Sequence, residues 1–424
     1  MAILSIARLL CPQAALRRGT LLCACALFLA LTPALLAGVD SKDQNFVAGA
    51  DTGSTDGSGR FSKIPFHVSV GVRVGYDDNV YSSSVDTKGS GYVNSSLGVT
   101  YDFGNARTKI SLSSGGGVSY YFDRQSDRSY DLNSFLSLTL THRATPRLTL
   151  GATVYAAYQS EPNFAFNLST NRRSGDFFFT SDRFTVAYQI APRWSSVTGY
   201  TLGLVKYQDS AIGAAQDRLE HTLSEEIKYL ILPTTSAVAE YRFGIVDYDR
   251  FARDSTTHFL LAGVDHSFTP RLGVSARGGV EFRSYEENGD HTSPYFEGTL
   301  SYALAPRSSI SWTNRYSIEE PDVPGSPMRT TFRTGLQVSY AVTPRITATL
   351  SGFYQHDNND GGQVQANTSP SFTENSFDLA LAVRYAVTRH FAVEAAYSHT
   401  EVTSDISLRE YARNRYSLGA NYSF

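Results

Sequence analysis

The sequence predicts an all-β fold, a transmembrane antiparallel up-and-down barrel of about 18 strands, with 16 as the alternative count. Three observations predict it: an aromatic or histidine ring stands four residues before a turn eight times over, the turns recur about every 40 residues, and long runs alternate strictly between apolar and polar side chains. Each period holds two extended strands, a tight turn and a longer loop, so the chain reads as a string of hairpins.

The repeated rings are Tyr101, His142, Tyr188, Tyr229, His266, Tyr302, Tyr340 and Tyr385, standing before Asn105, Pro146, Pro192, Pro233, Pro270, Pro306, Pro344 and Arg389. Five of these turns read Pro-Arg. Alternation then defines the faces of the strands. Val68, Val70, Val72, Val74 and Tyr76 share one face of the first strand, and Ser69, Gly71, Arg73 and Gly75 share the other. Phe332, Leu336, Val338 and Tyr340 likewise oppose Arg333, Gly335, Gln337 and Ser339. A soluble sandwich or propeller also uses such alternation. A propeller, however, divides a repeat of about 40 residues into four short strands, whereas this repeat holds two long runs, each near the 9–11 residues that a tilted strand needs to cross a bilayer.

The apolar face is then expected to meet lipid and the polar face a lumen, which makes the eight rings a periplasmic girdle at headgroup depth. Eight periplasmic turns plus one free strand at each end give 18 strands with both termini periplasmic. The weakest element in that count is the strand at 218–231, where Glu225 falls among the apolar positions Leu223 and Ile227. The chain ends on an amphipathic run in which Tyr416, Leu418, Ala420, Tyr422 and Phe424 alternate with polar or small residues. Such a run resembles the segment by which outer-membrane barrels are recognised by their assembly machinery, with Tyr422 and Phe424 as the signal.

The N-terminal part reads differently. Residues 1–37 carry Arg8, Arg17 and Arg18, an apolar run from Leu21 to Leu31 and small residues ending at Ala37, the pattern of a secretory signal peptide. A lipoprotein anchor at Cys23 or Cys25 fits poorly, because most of the apolar stretch follows these cysteines. Cys11, Cys23 and Cys25 are the chain's three cysteines, so the exported protein carries no thiol for a disulfide, a metal site or a nucleophile. Removing residues 1–37 takes away three basic residues and no acidic one, so 34 Lys plus Arg face 40 Asp plus Glu, a net charge of −6. That balance argues against a nucleic-acid partner. Residues 38–64, with GADTGSTDGSG at 49–59, form a polar flexible periplasmic leader, and residues 65–424 form the barrel.

At 16–18 strands the interior is too wide for side chains to fill, so an aqueous channel is expected. Residues 38–64 are too few for a globular plug. Strand parity points Arg73, Arg183, Arg242, Arg277, Arg283, Arg333, Arg384 and Arg415 into the lumen, together with Glu240, Glu281, Glu297, Asp378 and Glu394. Mixed charge with a slight anion preference follows. The plainer reading is that pairs such as Glu240/Arg242 and Glu281/Arg283 only stiffen a wet wall, and that the Pro-Arg arginines snorkel to headgroups. Of the longer loops, 77–90, 160–175 and 357–372, the second, with Arg172 and Arg173, is the expected constriction.

One motif goes beyond generic barrel chemistry. Gly75-Tyr76-Asp77-Asp78-Asn79-Val80-Tyr81, at the end of the first strand, resembles a segment near the start of the putative β-barrel porin 2 family of bacterial outer-membrane proteins. The hairpin repeat and the terminal Phe extend that resemblance over the whole mature chain. Membership implies a porin, and some members are similar to proteins associated with exopolysaccharide production. Asp77 and Asp78 are candidates for a divalent cation or a lipopolysaccharide bridge, since clustered carboxylates supply hard oxygen ligands. The competing reading is a turn-initiating Asp-Asp-Asn whose side chains bond local backbone.

A catalytic constellation does not emerge. His258, His291, His356 and His399 fall near the outer ends of strands, but neighbours such as His356 and Asp357 point to opposite faces. Gly115-Gly116-Gly117 lies within a strand and suits close backbone approach rather than phosphate binding. The expected protein is therefore a non-enzymatic outer-membrane channel of a Gram-negative-type bacterium, without a cofactor, passing small hydrophilic solutes. The alternatives are an exit barrel served by periplasmic secretion partners, or a structural or adhesive barrel. Its other expected partners are outer-membrane lipid, lipopolysaccharide and the barrel-assembly machinery. Strands facing lipid and strands facing another subunit share one pattern, so the sequence leaves oligomeric state open.

Overall fold

The computed structural model describes residues 66–424, apart from 86, 125–127, 161–174, 251–252, 287–288, 324–325, 365–366 and 370. The strands are β1 (Phe66–Asp77), β2 (Ser90–Gly104), β3 (Thr108–Tyr121), β4 (Tyr130–Arg143), β5 (Leu148–Gln159), β6 (Phe177–Ala191), β7 (Trp194–Tyr207), β8 (Arg218–Leu232), β9 (Thr235–Tyr248) and β10 (Ser255–Thr269). They continue with β11 (Leu272–Tyr285), β12 (Gly289–Ala305), β13 (Ser308–Glu319), β14 (Arg329–Ala341), β15 (Ile346–Asn359), β18 (Phe372–Ala386), β19 (Phe391–Ser404) and β20 (Tyr411–Ser423), while β16 (Gly362–Val364) and β17 (Asn367–Ser369) form a small separate hairpin. A short helix, α1 (Ser210–Gln216), and a 3₁₀ turn, η1 (Ser407–Arg409), sit between strands.

Eighteen strands form one antiparallel sheet in which each pairs with its sequence neighbours. The sheet closes on itself: β1 pairs with β20 from Ser69↔Ser423 to Asp77↔Arg415, so no edge is left unpaired. This settles the count at 18 rather than 16. The strand containing Glu225 is a full member, β8, bonded to β7 and β9 along its length.

Both described ends lie at the rim of tight turns, where Phe66 pairs with Tyr101 and the Phe424 amide donates to the Val68 carbonyl. The Thr before Pro helps to make these turns. At Thr145, Thr269 and Thr343 the hydroxyl accepts from the amides two and three residues on, and Asn105 and Thr388 do the same where no Pro follows. The opposite rim carries the longer connections, including 78–89, 208–217, 320–328 and 360–371.

The eight repeated rings all lie on the outer face at the tight-turn rim. They are joined there by rings from adjacent strands: Phe66 stacks on Tyr101 at 4.4 Å, Trp194 on Tyr229 at 4.7 Å, and Tyr422 packs against Phe424 at 4.8 Å. His142 and His266 each bond a threonine hydroxyl on the neighbouring strand at 2.8 Å, which satisfies Nδ1 without water. A second belt of polar-tipped rings lies on the outer face toward the long-loop rim. Tyr200 bonds His221, Tyr241 bonds His258, and Asn375 bonds both Tyr354 and His356, each contact at 2.8 Å. His356 faces outward and Asp357 inward, where Asp357 accepts from Thr331 at 2.8 Å. These histidines are therefore tied to a ring belt rather than to an acid.

Glu225 stands on the outer face near the middle of β8, accepting from the Thr198 hydroxyl at 2.6 Å. A carboxylate at that depth is unfavourable against hydrocarbon. Replacing it in Glu225→Leu is expected to raise the unfolding free energy in lipid vesicles by about 1–2 kcal/mol, read from denaturant titration. An unchanged or lower stability would mean that something other than lipid covers this face.

Candidate functional site in the barrel interior

The parity-assigned charges all lie on the inner face, and the structure links most of them into networks. On the wall made by β8 to β12, Arg242 bonds Glu240 at 2.6 Å, Glu297 at 2.5 Å and the Tyr295 hydroxyl at 2.9 Å. Arg277 bridges Glu226 and Asp265, both at 2.8 Å, and Lys228 holds the same two acids at 2.9 and 2.8 Å. Arg73 pairs with Glu394 at 2.5 Å, while Asp378 accepts from Thr400 at 2.7 Å. Arg384 lies directly opposite Glu394 in register, and Arg183 stands opposite Thr153 and Thr201. Arg415 bonds Asp77 at 2.7 Å and the Tyr121 hydroxyl at 2.9 Å.

Asp77 and Asp78 do not share a site. Asp77 is fully buried on the inner face, where Arg413 at 2.5 Å joins Arg415 in neutralising it, and it also accepts from the Asn79 amide. Asp78 points to the other face and receives the Asn414 amide and side chain, both at 2.7 Å. The two carboxylates thus part, Asp77 to two guanidiniums of β20 and one local amide and Asp78 to Asn414 of the same strand, partners distant in sequence that a local turn does not supply. Among the described residues no group of three His, Cys, Asp or Glu side chains is placed to hold a metal.

Arg172 and Arg173, the expected constriction, lie outside the described residues. Among the described residues, the connection between β13 and β14 turns inward instead. Glu319, Glu320, Asp322 and Val323 are all nearly inaccessible, with Val323 at 1% exposure. Glu320 accepts from the Arg283 guanidinium and from the Tyr248 hydroxyl, both at 2.6 Å. The Pro321 carbonyl accepts from Arg253 at 3.2 Å and from Gln216 at the end of α1 at 3.3 Å. Asp322 bonds Arg409 of η1 at 2.7 Å, and Arg409 also holds Glu374 of β18 at 2.7 Å. Glu319 contacts Arg315 and, at 3.1 Å, Arg333. Arg329, fully buried, sits 3.6–3.7 Å from Glu319, Asp322 and Asp357.

One short segment is thus tied to β8–β11 on one side and to β18 and η1 on the other. Burying a single charge costs several kcal/mol, so each of these groups needs an opposite charge and hydrogen bonds. The sequence signal was present in the run Glu319-Glu320-Pro321-Asp322, acids at a strand end followed by a helix- and sheet-breaking Pro. Parity alone did not assign it, because Glu320 and Asp322 belong to no strand.

The interior also holds an apolar patch that alternation did not anticipate. Tyr155, Ala157, Phe177, Phe179 and Tyr207, from β5, β6 and β7, cluster on the inner face with Phe135, Val205 and Ile212 of α1 packed against them. Phe135 gains room from the glycine run: a Cβ at Gly115 would stand 2.6 Å from its ring. Close approach is thus the role of Gly115 within β3.

The model of the putative β-barrel porin 2 family matches residues 64–424. The chain belongs to this family. That places this porin-family barrel among outer-membrane channels of porin type. Solved structures similar in outline include OpdK from Pseudomonas aeruginosa, at 10% identity and TM-score 0.42, covering 85% of this chain and 99% of that one. Acinetobacter baumannii OccAB3 is similar at 12% identity and TM-score 0.42, with the same two coverages. The siderophore receptor PirA of Acinetobacter baumannii matches at 9% identity and TM-score 0.40, covering 85% of this chain and 81% of that chain. No curated protein matches the chain significantly.

Burial alone would raise the Glu320 carboxyl, but the guanidiniums of Arg283, Arg218 and Arg253 and the Tyr248 hydroxyl outweigh it and hold it below the ordinary 4.5. A depressed folded value means that the stabilisation is complete above 4.5 and is lost as pH falls through the lower folded value. Hydrogen-exchange protection of residues 319–323 is therefore expected to drop as the pH is taken well below the ordinary 4.5. The step should shrink in Glu320→Gln, and equal steps in both proteins would refute the assignment to Glu320.

Proposed function

We propose that this porin-family barrel is a passive diffusion channel for small hydrophilic solutes, without catalytic activity or a cofactor. The observation that carries the reading is the division of faces in a closed sheet of 18 strands: rings and aliphatic side chains outside, paired charges and hydroxyls inside. A wall of that kind supplies water-like contacts to a polar solute while the outer face stays in lipid. The inward segment Glu319–Val323 narrows the lumen from the long-loop side. The charges named from parity act as the channel wall, and their pairing favours a lumen without strong ion selectivity.

The same reading orients the barrel. The tight-turn rim, with both described ends and the eight-ring girdle, faces the periplasm, because short turns there and longer loops outside are the rule for bacterial barrels. Residues 1–37 act as the export signal, residues 38–64 as a periplasmic leader, and Tyr422 with Phe424 as the assembly signal. Lipid and lipopolysaccharide surround the outer face.

Purified protein inserted into planar bilayers is expected to give discrete conductance steps, with a reversal potential close to zero in a salt gradient. A barrel that shows heat-modifiable electrophoretic mobility, and is therefore folded, yet passes no current would overturn the channel reading.

A further inference from the structure

A buried polar cluster among the described residues is occupied by one of the chain's own side chains. Glu320 is 6% exposed, and its two carboxylate oxygens are taken separately, one by Arg283 of β11 and the other by Tyr248 of β9, each at 2.6 Å. Arg253 lies over the Tyr248 ring at 4.5 Å from its centroid and donates to the Ala215 and Pro321 carbonyls. Arg218, 2% exposed, is anchored by Glu220 at 2.7 Å and the Gln216 carbonyl at 3.3 Å. Glu281 stands 3.4 Å from Arg283 on the strand side. All of these groups except Glu320 and the Pro321 carbonyl belong to the wall, to α1 or to the connection before β10.

We propose that Arg218, Arg253, Arg283 and Tyr248 form a binding site for a small carboxylate solute, and that Glu320 occupies it as an internal stand-in when no solute is bound. The charges support a monoanion. The present occupant, Glu320, brings a single carboxylate to these donors, and a ligand with one carboxylate replaces it charge for charge. The geometry supports a carboxylate, because the present occupant has two oxygens received by two donors from different strands. Exchange has a mechanical consequence. Glu320 is one of the ties that hold the segment before β14 inward, so an arriving carboxylate loosens the constriction it must pass. The segment's grip through Asp322 and Arg409 remains and limits the movement.

This inference rests on the channel reading, and its test separates the two. The full barrel, Glu320→Ala and the double variant Glu320→Ala/Arg283→Ala are placed in planar bilayers after electrophoretic confirmation that each is folded, and sodium benzoate is titrated in. Glu320→Ala is expected to conduct at least about twofold more than the wild type and to show saturable benzoate block. The double variant should need about tenfold more benzoate for the same block, the loss expected for one charge-assisted hydrogen bond. Wild type, with the site filled by Glu320, should be blocked only at higher benzoate than Glu320→Ala. Currents of Glu320→Ala that ignore benzoate, or equal block in the single and double variants, would sink the site while leaving the channel standing. Inorganic phosphate blocking Glu320→Ala as well as benzoate does would overturn the carboxylate assignment. Folded barrels that carry no current in any variant bring down the channel reading and this site with it.

Discussion

Closure of the sheet is the constraint on which the rest depends. In hydrocarbon no water is available to satisfy a free backbone amide or carbonyl, so a strand edge left open would cost several kcal/mol for each group. The pairing of β1 with β20 removes that edge. Once the ring is closed, every strand has an inside and an outside, and period-two alternation becomes a division between lumen and lipid. The ring belts follow from the same constraint, since polar-tipped aromatics are most stable where the apolar band ends.

Closure at 18 strands creates a second problem, an interior wider than its side chains can fill. The structure answers it with three kinds of filling. The β5–β7 wall and α1 pack apolar groups together, the β8–β12 wall builds acid–base networks, and the segment before β14 turns inward. In the last two the charges are obligatory partners. Arg277 without Glu226, Glu240 and Asp265, or Arg283 without Glu281 and Glu320, would leave an uncompensated charge in a confined space. The inward segment is therefore held by interactions that respond to charge, which distinguishes it from a segment held by apolar packing.

The fold was largely legible in the primary structure. Strand number, the eight turns and the outer ring girdle follow from the recurrence of Tyr or His before each turn, because side-chain alternation and turn chemistry are local. Even the doubtful strand at Glu225 forms, since two flanking strands supply its hydrogen bonds whatever one outward side chain prefers. The inward charges were also readable strand by strand, from Arg73 to Arg415. Less legible were the partners of those charges: Glu226 and Asp265 bind Arg277 from other strands and share Lys228 with it, and no spacing in the chain announces it.

What the sequence determined by itself is thus the wall, since a strand's two faces are set by residues two apart along one chain. What only the tertiary structure decided is how the space inside is used. The Asp77–Asp78 pair splits because the two carboxylates point to opposite faces of the barrel wall, one to guanidiniums of β20 and one to Asn414 of the same strand. Glu320 finds its partners in β9 and β11, brought within reach only when the ring closes and the connection before β14 folds across it. Loops carry no period, and contacts across a lumen depend on barrel diameter and stagger, so this part of the molecule could be known only once the barrel was built.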